Sequence, residues 1–165
     1  MMDEIKASFR KVLGHYPTGV CAITAMSLDG APAAMIVGSF TSVSLDPPLV
    51  GFFPDKQSSS WGALSLCDGF CVNVLGASQE DICRKLASKD PRKFEGIAHS
   101  TSPRGAPMID GALVWIDCST HSVSDAGDHL LVLGAVESFG VAGDGDPLLF
   151  HKGSYGKVAS LLPAA

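Results

Sequence analysis

Residues 35–61 read MIVGSFTSVSLDPPLVGFFPDKQSSSW, from Met35 to Trp61, and the rest of the chain is organised around this stretch. The apolar run Ala33–Val37 predicts a strand that ends at Gly38. Ser39, Thr41, Ser42 and Ser44 then place four hydroxyls within six residues. Asp46-Pro47-Pro48 interrupts the chain, because proline lacks an N–H and restricts the residue before it. Leu49–Phe53 predicts a second, buried strand. Pro54-Asp55 turns again, and Ser58-Ser59-Ser60 opens a short helix that Trp61–Leu66 continues. Two hydroxyl-rich turns flank one apolar strand. Hydroxyls, free backbone N–H groups, a helix start and Lys56 together suit an anion such as phosphate. Serine and threonine also serve as ordinary caps and turn residues, and spacing alone does not separate the two roles.

On the N-terminal side, Asp3–Leu13 predicts a helix, with Ile5, Phe9, Val12 and Leu13 on one face. Gly14 and Pro17 end it. Gly19–Met26 is a β-type run, and Leu28-Asp29-Gly30 turns it back as a hairpin. On the C-terminal side, Phe70–Leu75 predicts a strand in which Asn73 alternates with Val72 and Val74 and requires a partner. Ser78 starts a helix with Asp81 three residues on, an approximate capping box, and Ile82, Leu86 and Ala87 form its apolar face. Ser100–Gly111 is rich in proline, glycine and serine and reads as a long surface loop. Ala112–Val123 and His129–Phe139 read as an antiparallel pair joined by Asp125–Asp128. Short strands between turn signals, with two or three helices, predict a mainly β fold with accessory helices, as one domain over residues 1–165.

The composition narrows the function. Hydrophobic residues are 46% of the chain and charged residues 18%, an apolar balance that anticipates burial against another subunit. Net charge is −5, and no basic cluster interleaves with aromatics, which argues against nucleic acid. No apolar run reaches membrane-span length, and Asp3 and Glu4 near the start are unlike a secretory signal. Five cysteines, an odd number without C-x-x-C spacing, read as free thiols in a reducing cytoplasm. The P-loop, the dinucleotide-binding glycine fingerprint and the nucleophile elbow are all missing. The five histidines are scattered, and no metal site is expected. His129 and His151 each stand at a strand edge beside a polar turn.

Six motifs in order resemble one family. They are Phe9-Arg10 with Pro17-Thr18-Gly19-Val20; Ser39-Phe40-Thr41-Ser42-Val43-Ser44-Leu45-Asp46-Pro47-Pro48-Leu49-Val50; Phe70–Leu75; Lys93-Phe94; Gly127-Asp128-His129 with Gly134-Ala135-Val136; and Pro147–Phe150 with Gly153 and Tyr155. Together they resemble the flavin reductase-like group with an FMN-binding split barrel, which includes reductase components of two-component flavin-dependent monooxygenases. The resemblance implies a homodimeric split β-barrel that reduces FMN or FAD with NADH or NADPH, next to a separate oxygenase. Carried over by position, Ile36, Val37, Gly38, Ser39, Phe40, Ser42 and Val43 line the flavin. Gln57, Ser58, Ser59 and Ser60 hold its phosphate. Phe94 helps close the pocket, and His129, Gly153 and Tyr155 lie toward the nicotinamide, with His129 as the catalytic candidate. Ile36 stands where the family has a small hydroxyl residue, and Gly38 where it has Asn or Ser. Two side-chain hydrogen bonds to flavin are therefore expected to be absent, while backbone N–H contacts remain. The departures motivate one alternative, a flavin binder without reductase turnover; the apolar composition and the dimeric expectation permit another, a non-binding interaction protein.

Overall fold

The computed structural model describes residues 1–159. Seven strands build one antiparallel sheet: β2 (Cys21–Met26), β3 (Pro32–Val37), β4 (Thr41–Leu45), β5 (Pro48–Phe52), β6 (Gly69–Val74), β9 (Val114–Ala126) and β10 (His129–Val141). Their spatial order is β3-β2-β6-β9-β10-β5-β4. The two edge strands, β3 and β4, are neighbours in sequence, so Gly38–Phe40 crosses the gap between the sheet's edges. The sheet curls around a first core in which Met35 and Val37 of β3 meet Phe52 of β5, Val72 of β6 and Val132 of β10. This is a split barrel. Phe52 sits at its centre, edge-on to Phe70 at 5.2 Å and to Trp61 at 6.1 Å.

A second core lies on the other face of β2. Val20, Ala22 and Ala34 pack there against Leu75, Cys83, Leu86 and Phe94. Both faces of β2 are therefore covered, which is why Cys21–Ala25 is buried without interruption instead of alternating. Helix α3 (Glu80–Ala87) closes this second core with Cys83 and Leu86. The Ser78–Asp81 box is not what starts it. A single 3₁₀ turn, Ala77–Gln79, comes first, and Gln79 Oε1 accepts the Gly76 N–H at 3.0 Å. A small third sheet joins β1 (Thr18–Gly19) to the hairpin of β11 (Leu149–His151) and β12 (Ser154–Gly156).

The expectation for one segment changes. The segment at Ser100–Gly111 is not a surface loop: β7 (His99–Thr101) and β8 (Pro107–Ile109) form a hairpin laid on the sheet, with Ser102, Ala106, Pro107 and Ile109 buried. Three buried polar side chains on adjacent strands hold it. Thr24 of β2 donates its hydroxyl to the Pro107 carbonyl. Asn73 of β6 accepts the Ile109 N–H at 2.8 Å, and its amide donates to Thr24 Oγ1 at 3.0 Å. Asp117 of β9 accepts the Arg104 N–H at 2.9 Å. A segment rich in proline and glycine leaves many backbone groups without sheet partners, and burial requires that side chains supply them. Asn73 thus has the partner its alternation demanded. Helix α1 (Met2–Leu13) forms as expected, and among the described residues none of its side chains is buried. Ile5, Phe9, Val12 and Leu13 are 52–65% exposed.

The turn between β9 and β10 is also tighter than Asp125–Asp128. Ala126 pairs with His129, and Gly127 takes φ +69°, the left-handed conformation that a two-residue hairpin turn needs.

Candidate functional site

The end of β3 creates the site. As an edge strand it pairs, among the described residues, only with β2, so alternate backbone groups face away from the sheet toward the space a ligand would take. Val37 turns its side chain into the first core and offers backbone only. Ile36 leans on the second core. Ile36, Val37 and Gly38 share a pocket of about 200 Å³ with Thr18, Phe150 and Tyr155. Tyr155 is fixed there: Cys83 Sγ donates to its hydroxyl oxygen at 3.3 Å, and the Arg84 guanidinium stands 4.8 Å over its ring. Burial, then the Cys83 contact, pushes the phenol up to about 12. Gly153, at φ +80°, is the tip of the β11–β12 turn.

The next residues connect this pocket to a second cluster. Ser39 Oγ accepts the Phe53 N–H at 3.0 Å, tying the end of β3 to the turn after β5. In that turn Asp55 bridges to His129. His129 is partly exposed at the start of β10, and its Nδ1 lies 2.7 Å from Asp128 Oδ1. That hydrogen bond holds the Asp128 carboxyl below its ordinary value and fixes the imidazole ring. Phe40 packs against the first core, while Ser42 and Val43 are exposed on β4.

The serine turn comes next. Asp55 accepts the Gln57 N–H through Oδ1 at 2.7 Å and the Ser58 N–H through its carbonyl at 3.0 Å. Ser58 Oγ caps α2 (Ser59–Leu64) by accepting the Trp61 N–H at 3.2 Å. Gln57 and Ser58 therefore spend these groups on the turn itself. Ser59 and Ser60 do not: among the described residues their N–H groups have no intramolecular acceptor. The positive charge is not Lys56, whose ammonium is 2.6 Å from Asp125. It is Lys93, which donates to Ser60 Oγ at 2.8 Å across 33 residues of sequence. Burial lowers the pKa of Lys93, and among the described residues no carboxylate pairs with it. A half-buried ammonium bonded only to a neutral hydroxyl is a ready partner for an anion. Phe94, beside it, points the other way into the second core, edge-on to His99.

Residues 13–159 match the flavin reductase like domain. The chain belongs to the flavin reductase-like family. It is 52% identical over 153 residues to a flavin reductase of Pseudomonas putida, covering 93% of this chain and 90% of that one. It is 46% identical over 147 residues to a reductase subunit of a flavin-dependent monooxygenase from Rhodococcus jostii, covering 89% and 75%. The crystal structure of nitrilotriacetate monooxygenase component B from Mycobacterium thermoresistibile superposes with a TM-score of 0.94 at 40% identity, covering all of this chain and 94% of that one.

Within this flavin reductase-like domain, two residues escaped the reading of the motifs as site residues. Lys93 was visible only as half of Lys93-Phe94, and its contact with Ser60 depends on the packing of two distant segments. Thr18 explains Gly38. A Cβ at position 38 would stand 2.7 Å from Thr18 Oγ1, so the threonine hydroxyl occupies the space a side chain at 38 would enter. The hydroxyl missing at position 38 is thus present nearby on β1, facing the same pocket.

Proposed function

We propose that this chain binds FMN or FAD along the end of β3 and reduces it with NADH or NADPH, delivering reduced flavin to a separate oxygenase component. The supporting observation is the alignment of an open edge strand with two serines at a helix start and a lysine that, among the described residues, no carboxylate pairs. The donor set fits a flavin phosphate: two hydroxyls, two free amides and one ammonium. Once bound, nicotinamide and flavin supply the hydride chemistry themselves. The protein's contribution is position. Backbone groups from Ile36 to Phe40 orient the ring, with Thr18 as the side-chain donor at the departing position Gly38. Ser59, Ser60 and Lys93 hold the phosphate end, and Gln57 and Ser58 shape the turn beneath them. Ser42 and Val43 flank the ring on β4. His129, oriented by Asp128, steers the nicotinamide, with Gly153 and Tyr155 forming the opposite wall.

The same reading makes the working unit a single-domain homodimer. The exposed apolar face of α1, together with Phe139 and Val141 of β10, needs a cover, and a second copy supplies one. Among the described residues no helix is long and apolar enough to cross a membrane, and all five cysteines are free thiols. A cytoplasmic setting, where thiols stay reduced and NAD(P)H is abundant, suits both.

One assay tests the central proposal. Purified protein is mixed with NADH or NADPH, with and without FMN, FAD or riboflavin. Nicotinamide oxidation should require added or bound flavin. A protein that binds flavin but oxidises neither nucleotide is a flavin binder without turnover, and the reductase reading fails.

A further inference from the structure

Phe52 sits at the centre of the first core, yet the space beside it is not filled. A cavity of about 260 Å³ runs from Phe52 and Ile23, both fully buried, out to solvent at Thr120 and Val123 of β9. Protein interiors are close-packed, and burial of apolar residues does not by itself leave a void of this size against them. Helix α2 separates the cavity from the serine turn. Trp61 and Leu64, three residues apart on one face, line the cavity; Ser59 and Ser60 lie on the other side of the helix, with Lys93.

We propose that this cavity binds a neutral single-ring aromatic molecule carrying a hydroxyl, of the phenol class, and that its occupancy tightens flavin phosphate binding through α2. The coupling rests on the reading of Ser59, Ser60 and Lys93 as the phosphate site; the cavity does not. Size selects one ring. An apolar cavity of about 150 Å³ holds benzene and drug-sized ligands take about 300–1,000 Å³, so this volume suits a single substituted ring. The walls select an aromatic. Phe52 meets Phe70 and Trp61 edge to face, at interplanar angles of 82° and 76°, and all three line the cavity, where an entering ring continues the same packing. Ser65 on the lining donates its hydroxyl to the Gly62 carbonyl at 2.9 Å and keeps its lone pairs for a ligand hydroxyl. Asp68 is on the lining and, among the described residues, no lysine or arginine is, which disfavours an anionic ring. The link to the phosphate end is short. Ser58 Oγ accepts the Trp61 N–H at 3.2 Å and Ser60 Oγ accepts from Lys93 at 2.8 Å, within one six-residue helix and its cap. A ring seated against Trp61 and Leu64 holds that helix in place, and flavin then meets a turn already ordered.

The test uses the intact protein carrying Trp115→Phe, which leaves Trp61 as the single indole; Trp115 lies against Gly140 and is not on the cavity lining. Phenol should change Trp61 fluorescence saturably, and benzoate should not. Val123→Phe at the partly exposed mouth and Cys67→Phe on the wall should each raise the phenol Kd about tenfold, with FMN affinity in the absence of phenol unchanged. Saturating phenol should lower the Kd of FMN about fivefold and leave riboflavin unmoved, and FMN should lower the Kd of phenol by the same factor. A fluorescence change that never saturates, or that both filling variants leave as it was, overturns the site. Saturable phenol binding with an unmoved FMN Kd overturns the coupling through α2. Lys93→Met keeps the two readings apart. If it weakens FMN no more than riboflavin, the phosphate site fails and the coupling with it, while the cavity is upheld or overturned by the Trp61 titration alone.

Discussion

Two polar clusters in this molecule behave oppositely in the fold. One is the seam of Thr24, Asn73 and Asp117 beneath the β7–β8 hairpin; the other is the serine turn with Lys93. In the seam the side chains are fully buried and bonded to backbone, and among the described residues only Asp117 Oδ1 lacks a partner. In the serine turn Ser59 is exposed, Ser60 is half-buried, and among the described residues the ammonium reaches only a hydroxyl. Polar groups consumed by the chain's own backbone hold a structure together. Polar groups left with open valences beside a cation are available to a ligand. The difference lies in what each group is already bonded to.

Breaking one cluster should therefore damage stability, and breaking the other should damage binding. The largest effect is expected from Asn73→Ala. It strands the buried Ile109 N–H and removes the donor to Thr24 Oγ1, at about 1–3 kcal/mol for each buried group left unsatisfied. A loss of about 3 kcal/mol should lower Tm by roughly 6–12 °C in calorimetry, with flavin affinity below the transition little changed. If Asn73→Ala leaves Tm unmoved, the seam does not clamp the hairpin.

Lys93→Met should do the reverse. Loss of a charge-assisted hydrogen bond removes about 1.5–3 kcal/mol of FMN binding, roughly ten- to hundredfold in Kd, with little change in Tm. Equal weakening of riboflavin, which has no phosphate, would show that the lysine acts elsewhere.

A smaller effect sharpens the role of His129. His129→Ala should lower kcat/KM for NAD(P)H about tenfold, or about 1.4 kcal/mol of transition-state stabilisation, and leave flavin affinity nearly unchanged. Parallel loss of flavin and nicotinamide would place the ring in the flavin pocket. Smallest of all is Ser58→Ala. Its hydroxyl caps α2, so the substitution should remove about 1 kcal/mol of stability while FMN binding holds. Weakened FMN binding without a change in Tm would return Ser58 to the phosphate site.

The sequence alone determined whatever is governed by neighbours a few residues apart. The apolar runs ending at Gly38 and Phe53, the Asp29-Gly30 and Gly127 turns, the helix over residues 3–13 and the serine cluster all follow from periodicity and turn chemistry. So did the need of Asn73 for a partner. Tertiary structure alone decided which polar groups were already spent. Lys56 and Lys93 are alike as residues; one is neutralised by Asp125 and the other is held against Ser60, because hairpin and helix packing brings segments 69 and 33 residues apart into contact. The Ser100–Gly111 segment carries every mark of a loop, yet its backbone finds donors and acceptors on β2, β6 and β9, and burial follows. The amphipathic stripe of α1 shows the same limit from the other side. Its period specifies a helix with one apolar face, but which surface that face meets is set by long-range packing, and among the described residues of one copy it is buried by none.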